Sequence, residues 1–330
     1  MSAMRRLSVV IPNYNYGKFI GSAIGSALAV EWPDIEVIVV DDGSTDDSRS
    51  VIRGFGSRIT AIFQENSGQR VACNVGFAAS TGDVVIFLDS DDVLNPLIAR
   101  DIAAVWRPGV SKVQVQMQRI NADGHAVGGR FPKYRHVPTP EEIRYWMTTT
   151  SAYPTPPGSG NAYARSFLSQ LFPLDDSCGD APDSACLAAA PFLGDVLTVA
   201  KPLVQYRLHG DNQSSLTADP ARLPAQIQLA LQRHRFTLAL SAEPLSRDAM
   251  APLFRSRHLL QMRVAERRVS SGEPPLPADS RRRMLRNSFA NLLAPGPESI
   301  WLRVAVIGWC IATMVAPPPV AQWLIRHRFA

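Results

Sequence analysis

The sequence predicts an α/β protein: a doubly wound, mostly parallel sheet, then an antiparallel part and a C-terminal helical extension. Three observations carry this. Over the first hundred residues, short β-branched runs alternate with amphipathic helical stretches, the order that produces βαβ units. The polar segments PNYN, DDGSTD and DSDD all fall at the carboxyl ends of those runs, where open α/β sheets hold their ligands. Near residue 110 the pattern changes. KVQVQMQRINADGHAV alternates with period two around an Asn-Ala-Asp-Gly turn, which reads as an antiparallel hairpin rather than another crossover.

In order, LSVVIP is the first strand and KFIGSAIGSALAV its helix, IEVIVV is the second, with a helix from Thr45, and ITAIF is the third, followed by the helix GQRVACNVGFAAS. DVVIFL is the fourth strand and NPLIARDIAAVW its helix. Residues 130–160, rich in Pro, Thr and Gly, read as loops around a cleft, because long irregular stretches in compact domains are commonly functional. A helix is expected from Asp183 to Ala190, then a strand around DVLTVAKPLVQYRLH. Residues 221–290 hold Arg-rich helical patterns separated by SSGEPPLPADS. The tail after Ser299 is the most apolar segment, with Trp301, Trp309 and Trp323 spread along it, but its run stops at Pro317. That is short of the roughly 20 residues a bilayer span needs, so an interfacial or re-entrant anchor is expected.

With 330 residues, 46% of them hydrophobic, the chain can bury one large core or two smaller ones. Cys73, Cys178, Cys186 and Cys310 lack CxxC spacing, which argues against a disulfide framework or zinc site and for a reducing compartment. The N-terminal MSAMRRLSVVIPNYN has no secretory core, so no export is expected. Residues 221–330 carry 16 Arg and 6 acids, a net of +10, which leaves −5 on the first 220 of a chain whose total is +5. An Arg-rich region of this kind is a solvated face or a surface for anionic lipid headgroups. Nucleic acid is the weakest reading, since no base-stacking module accompanies the charge.

Why should a buried strand end in Asp89, Asp91 and Asp92? Clustered carboxylates raise each other's pKa unless a cation is present, which suggests Mg²⁺ or Mn²⁺ shared with substrate phosphates. The plainer alternative is capping of the helix that follows. Asp41-Asp42 before Gly-Ser-Thr-Asp offers a second pair, which could hold a base or ribose donor or form an Asx-type turn.

Taken together, SVVIPNYNYGKFI, VVDDGSTD, ENSGQRVACNVGFAASTGD and FLDSDD, in this order, resemble the family 2 glycosyltransferases, inverting enzymes with a GT-A fold. The match is strong over residues 7–100 and weaker to about 215, through GSGNAYARS and the segment ending QYRLHGDN. The resemblance implies a nucleotide diphosphate sugar donor, in the first instance a UDP-sugar, a Mn²⁺ or Mg²⁺ cofactor, and a saccharide or lipid-linked acceptor in surface polysaccharide or glycolipid assembly. It assigns Asp91 to the metal and Asp89 to metal and ribose. Asp42 is matched to the nucleotide base, with Pro12 and Tyr14 along its pocket. Asn66, Gly68 and Arg70 fall in the nucleotide-facing segment, with Arg70 equally suited to a surface salt bridge. Arg207 and His209 would face the diphosphate, His209 also as a metal ligand, or simply bond to a loop. The general base is matched to Asp183, with Asp180 competing and a plain N-cap as alternative. The implied organisation is a catalytic domain over 1–215, divided near 110 into a nucleotide-sugar part and an acceptor part. A basic helical extension over 216–296 and a membrane-associated segment over 297–330 follow. A cytoplasmic protein, peripheral on an anionic inner membrane face, is expected.

Overall fold

Strand β1 (Leu7–Asn13) is buried along its whole length because it is flanked on both sides in register. β2 (Ile35–Asp42) and β4 (Val84–Phe87) are its parallel neighbours, and β3 (Thr60–Gln64) lies beyond β2. Sequence order therefore reverses between β1 and β4, and the crevice beyond their carboxyl ends is where such a sheet binds its ligand. The sheet continues through β8 (Asn161–Ala164), β6 (Val110–Ile120), β9 (Asp195–Arg207) and β5 (Val93–Leu94), with β7 (Ala126–Phe131) paired to β6. In this half antiparallel pairs dominate, and β6 with β9 is the parallel exception.

This computed structural model describes residues 6–178, 182–209, 222–240, 250–270, 275–276, 279–294 and 296–329. Helix α1 (Gly17–Leu28) buries Ile20, Ala23, Ile24 and Ala27, one face at helical spacing. The helix expected from Thr45 begins later, as α2 (Ser48–Arg53), because Asp46 Oδ1 first accepts the Ser48 amide at 3.0 Å. α3 (Gln69–Ala79) lies against β1 and β2 through Gly76, where a Cβ would come within 2.3 Å of Val10 Cγ1. α4 (Ile98–Val105) completes the first half.

The hairpin expected after residue 110 is present, its turn held by Asn121 Oδ1, which accepts from the Asp123 and His125 amides at 3.1 and 2.9 Å. Its alternation does not expose the polar face. Val113, Val115 and Met117 enter the main core, and Lys112, Gln114 and Gln116 on the opposite face are buried too. Residues 130–160 are not all loop, which corrects the sequence reading. They contain α5 (Pro140–Thr150), started by a reciprocal pair in which Thr139 N donates to Glu142 Oε2 and Glu142 N to Thr139 Oγ1. This capping box was legible in Thr139-Pro140-Glu141-Glu142 but outweighed by the surrounding Pro and Thr. α6 (Arg165–Leu168) and α7 (Pro182–Leu193) follow, α7 buried along most of its length.

The chain divides into two units, Met1–Ile143 with Pro154–Gly210, and Arg144–Tyr153 with Asp211–Ala330. The second contains α8 (Leu223–Leu240), α9 (Ala251–Arg255), α10 (Arg257–Val269), α11 (Arg281–Leu293), α12 (Ile300–Val315) and α13 (Pro318–Phe329). The sequence reading separated a basic extension from an apolar tail at residue 296. In the structure Ile325, Trp309 and Phe329 of the tail share one core with Leu223, Ile227 and Leu231 of α8. Alternating Arg and Leu along the chain hid that shared core. Among the described residues no helix is long and apolar enough to cross a membrane.

Candidate active site

Two acidic strand ends meet here. At β2, Asp41 is fully buried and accepts from Asn13 Nδ2 at 3.0 Å, the Ser44 amide at 3.2 Å and Arg49 Nε at 2.7 Å. Burial alone would raise its pKa, but the Ser44, Arg49 and Asn13 bonds outweigh that and hold it below the usual carboxylate value. Asp41 is thus a structural post. Asp42 beside it accepts from Gln64 Nε2 at 2.7 Å and from the Ser67 and Gly68 amides at 2.9 and 2.8 Å. These bonds fix the Asn66 segment against the turn at Gly43.

That turn requires glycine. Gly43 has φ +80°, and a Cβ would lie 2.6 Å from the Asn66 backbone nitrogen. Gly43→Ala is expected to lower stability by at least about 1–2 kcal/mol, the cost of left-handed backbone for an L-residue, read as a shifted urea midpoint. An unshifted midpoint would mean that the turn and the 64–68 segment do not depend on each other.

At β4, Ser90 Oγ donates to the Pro12 carbonyl at 2.8 Å, tying the DSDD turn to β1. Tyr14, just beyond, keeps its side chain exposed, whereas Pro12 is buried in the strand. The Asp89 amide donates to Ser159 Oγ at 3.0 Å, and Gln69 Nε2 approaches Asp89 Oδ1 at 3.4 Å. Asp91 is buried, and its Oδ2 lies 2.9 Å from His209 Nε2. Asp92 accepts the Arg207 amide at 3.0 Å on Oδ1, the Ser159 hydroxyl also bears on its carboxylate, and among the described residues its buried Oδ2 makes no direct hydrogen bond.

The carboxylates of Asp89, Asp91 and Asp92 therefore crowd one largely buried turn. Burial, then the charges of Asp91 and Asp183, push Asp89 up to about 7. Asp92 is pushed well above its usual value by burial and by Asp91 and Asp89. Among the described residues no three His, Cys, Asp or Glu side chains are gathered so as to hold a metal by themselves. Mg²⁺-type sites typically use one or two carboxylates and complete the shell with water and phosphate oxygens. Asp89 and Asp91, two neighbouring carboxylates in this acidic turn, fit that donor set.

Asp183 sits partly exposed in the first turn of the otherwise buried α7, and its charge bears on Asp89. Asp180 lies outside the described residues. Sequence reading missed what lies beneath. Lys112 Nζ donates to Gln114 Oε1 at 3.1 Å, Thr155 Oγ1 at 2.8 Å and Asn161 Oδ1 at 2.9 Å. Burial lowers its pKa well below the usual lysine value, opposed by Cys186 and Asp183. Asn161 Nδ2 in turn donates to the Pro157 carbonyl at 2.9 Å, and Gly158 is so placed that a Cβ would stand 3.2 Å from Asp89 Oδ2. The buried polar strand face thus carries the 154–160 loop to the acidic cluster. The signal was Lys-x-Gln-x-Gln itself, polar residues on a strand flanked on both sides by others.

For two arginines the structure shows the contacts of the second alternative that the sequence left open. Arg70 Nη1 donates to the Leu174 carbonyl at 3.1 Å and its Nη2 pairs with Asp176, so it ties α3 to the 174–176 turn, the salt-bridge alternative. Arg207 is buried and donates to the carbonyls of Asp91 (2.8 Å), Asn121 (3.3 Å) and Ala122 (3.0 Å), with its guanidinium 5.1 Å from the Phe19 ring centre. These bonds hold the Asp91 backbone against the 121–122 turn. His209 stays at the cluster, 5.0 Å from Phe19 and 5.7 Å from Tyr16 between ring centroids.

The model of Glycosyl transferase family 2 matches residues 8–172. A glycosyltransferase of Nostoc sp. is 36% identical over 241 residues, 69% of this chain and 74% of that one. S. aureus TarS, residues 1–349 in complex with UDP-GlcNAc, superposes with a TM-score of 0.53 over 98% of this chain and 89% of that one, at 16% identity. The mannosyltransferase PcManGT of Pyrobaculum calidifontis, in complex with GDP-Man and Mn²⁺, gives 0.56 over 99% and 85%, also at 16% identity.

Proposed function

The chain belongs to glycosyltransferase family 2 and is a transferase of the GT-A fold, and from that premise we propose an inverting, divalent-metal-dependent sugar transfer. The donor is a nucleoside diphosphate sugar, in the first instance a UDP-sugar, and the acceptor a hydroxyl of a saccharide or lipid-linked saccharide in surface polysaccharide or glycolipid assembly. One observation carries the reading: Asp89, beyond the carboxyl end of β4, feels the charges of its neighbour Asp91 and of Asp183 from a distant segment. On this reading the enzyme works at the cytoplasmic face of the plasma membrane, where nucleotide sugars and lipid-linked acceptors meet.

Asp89 and Asp91 would hold the Mn²⁺ or Mg²⁺, with His209 on Asp91. When bound, the ion neutralises charge developing on the departing diphosphate. Asp42 and the Asn66 segment it fixes form the base side, and the exposed Tyr14 ring (45% accessible) offers a stacking surface. Asp183 takes the proton from the acceptor hydroxyl as its oxygen attacks the anomeric carbon. A single displacement opposite the leaving group inverts that centre. The 154–160 loop, carried by Lys112 and Asn161, narrows the site around Asp89 and limits access of water, which would otherwise compete as acceptor.

Calorimetric titration with uridine, guanosine, thymidine and cytidine diphosphates, each with and without Mn²⁺, tests this. Metal-dependent binding of one of them, uridine diphosphate foremost, is the expected result. No binding in any condition would favour a noncatalytic scaffold over an enzyme that recognises its donor first.

A further inference from the structure

Helices α11 and α12 have their polarity inverted relative to a surface helix in water. α11 turns Asn287, Ser288 and Asn291 inward, and α12 turns Thr313 inward beside Ile307 and Cys310. Outward, α12 presents Trp301, Val304, Ala305, Gly308, Ala312 and Val315, which recur at three- and four-residue steps with no polar residue among them. Trp301 is 79% exposed and Val315 74%. On α11, Leu285, Phe289 and Leu293 form a second exposed stripe at four-residue spacing, with Phe289 at 62% and Leu293 at 86%. α13, packed against α12, adds exposed Val320 and Trp323.

Charge identifies what covers this face. From 281 to 329 the chain has seven arginines (281, 282, 283, 286, 303, 326 and 328) and one acid, Glu298. Glu298 is engaged with Arg257. Arg303 turns its guanidinium onto the carbonyls of Ala294, Gly296 and Glu298, so it leaves the α12 face apolar. Arg281, Arg282 and Arg286 are exposed alongside the α11 stripe, and Arg326 and Arg328 are exposed at the far end of α13. An apolar face bearing tryptophans, rimmed by arginine and almost free of acid, matches an anionic lipid surface: rings at the headgroup level, cations on the phosphates. A second copy of the chain would instead set arginine rim against arginine rim.

We propose that the outward face of α12, with the exposed apolar residues of α11 and α13 beside it, lies in the headgroup layer of an anionic bilayer, held parallel to the surface rather than across it. This surface belongs to the second unit and is independent of the transfer chemistry.

The test is cosedimentation of the full chain with vesicles of phosphatidylcholine alone or with phosphatidylserine added. The parent is expected to bind the anionic vesicles, more weakly as salt is raised. Trp301→Ser with Val304→Ser and Val315→Ser, all outward positions, is expected to weaken partition at least about tenfold. Arg281→Gln, Arg282→Gln and Arg286→Gln together should lose about fivefold per arginine, on anionic vesicles only. Unchanged calorimetric binding of nucleotide, where the parent binds one, and an unchanged thermal melt in both variants confirm that they fold, and keep this outcome separate from that of the transferase reading. A parent that stays in the supernatant with both vesicle types overturns the proposal. So does a serine variant that sediments like the parent, or one that merely converts a dimer to a monomer in light scattering with vesicle binding unaltered.

Discussion

Asp183→Asn is expected to lower kcat by about 10²–10⁴-fold, the contribution of a positioned general base, while the donor still binds with near-parent affinity. Asparagine keeps the size of the side chain and can still accept a hydrogen bond at the start of α7, so a capping role survives the change and a proton-accepting role does not. α7 is buried on nearly all its residues, and Asp183 is among the few that reach the surface. Its charge bears on Asp89 and on the buried Lys112. The measurement is kcat with saturating donor, alongside calorimetric donor binding. A parent-like kcat would remove Asp183 from the chemistry and leave it as a helix-initiating residue.

Asp91→Ala is expected to abolish the metal dependence of nucleotide binding and to cut kcat at least about 100-fold, or roughly 2.7 kcal/mol of transition-state stabilisation. Without metal the variant should be no less stable than the parent. The Asp91 charge is one of the causes that push up both Asp89 and Asp92, so its removal relieves buried like-charge repulsion and offsets the lost contact with His209. Activity falling while the thermal midpoint holds or rises marks a site built for a ligand. Nucleotide binding by the variant that still requires Mn²⁺ would move the metal away from Asp91.

Much of the first half was legible because its signals are local. Four β-branched runs fix four strands, and Asn121 before Asp-Gly fixes a hairpin turn whose bonds span two to four residues. The acidic strand ends were legible as a cluster, since any parallel order places them on one edge. Roles within the cluster were not. Asp41 and Asp42 are adjacent and identical in type, yet one supports Asn13, Ser44 and Arg49 and the other the 64–68 segment. Their backbone directions at the end of β2 decide which does which.

Sequence by itself determined the element order, the βα alternation, the acidic ends that converge beyond the sheet and the basic, apolar C-terminal third. Each is set by periodicity, propensity or charge within a few residues. Tertiary structure alone decided the partners of the long polar side chains. Arg70 meets Asp176 106 positions away, Arg207 meets the Asp91 carbonyl 116 away, and Lys112 meets Asn161 49 away. It also decided that the polar face of β6 is buried and that the outward face of α12 is apolar. The reason is physical. A polar group's role depends on whether water or a distant chain segment satisfies it, and that is settled only when the elements pack.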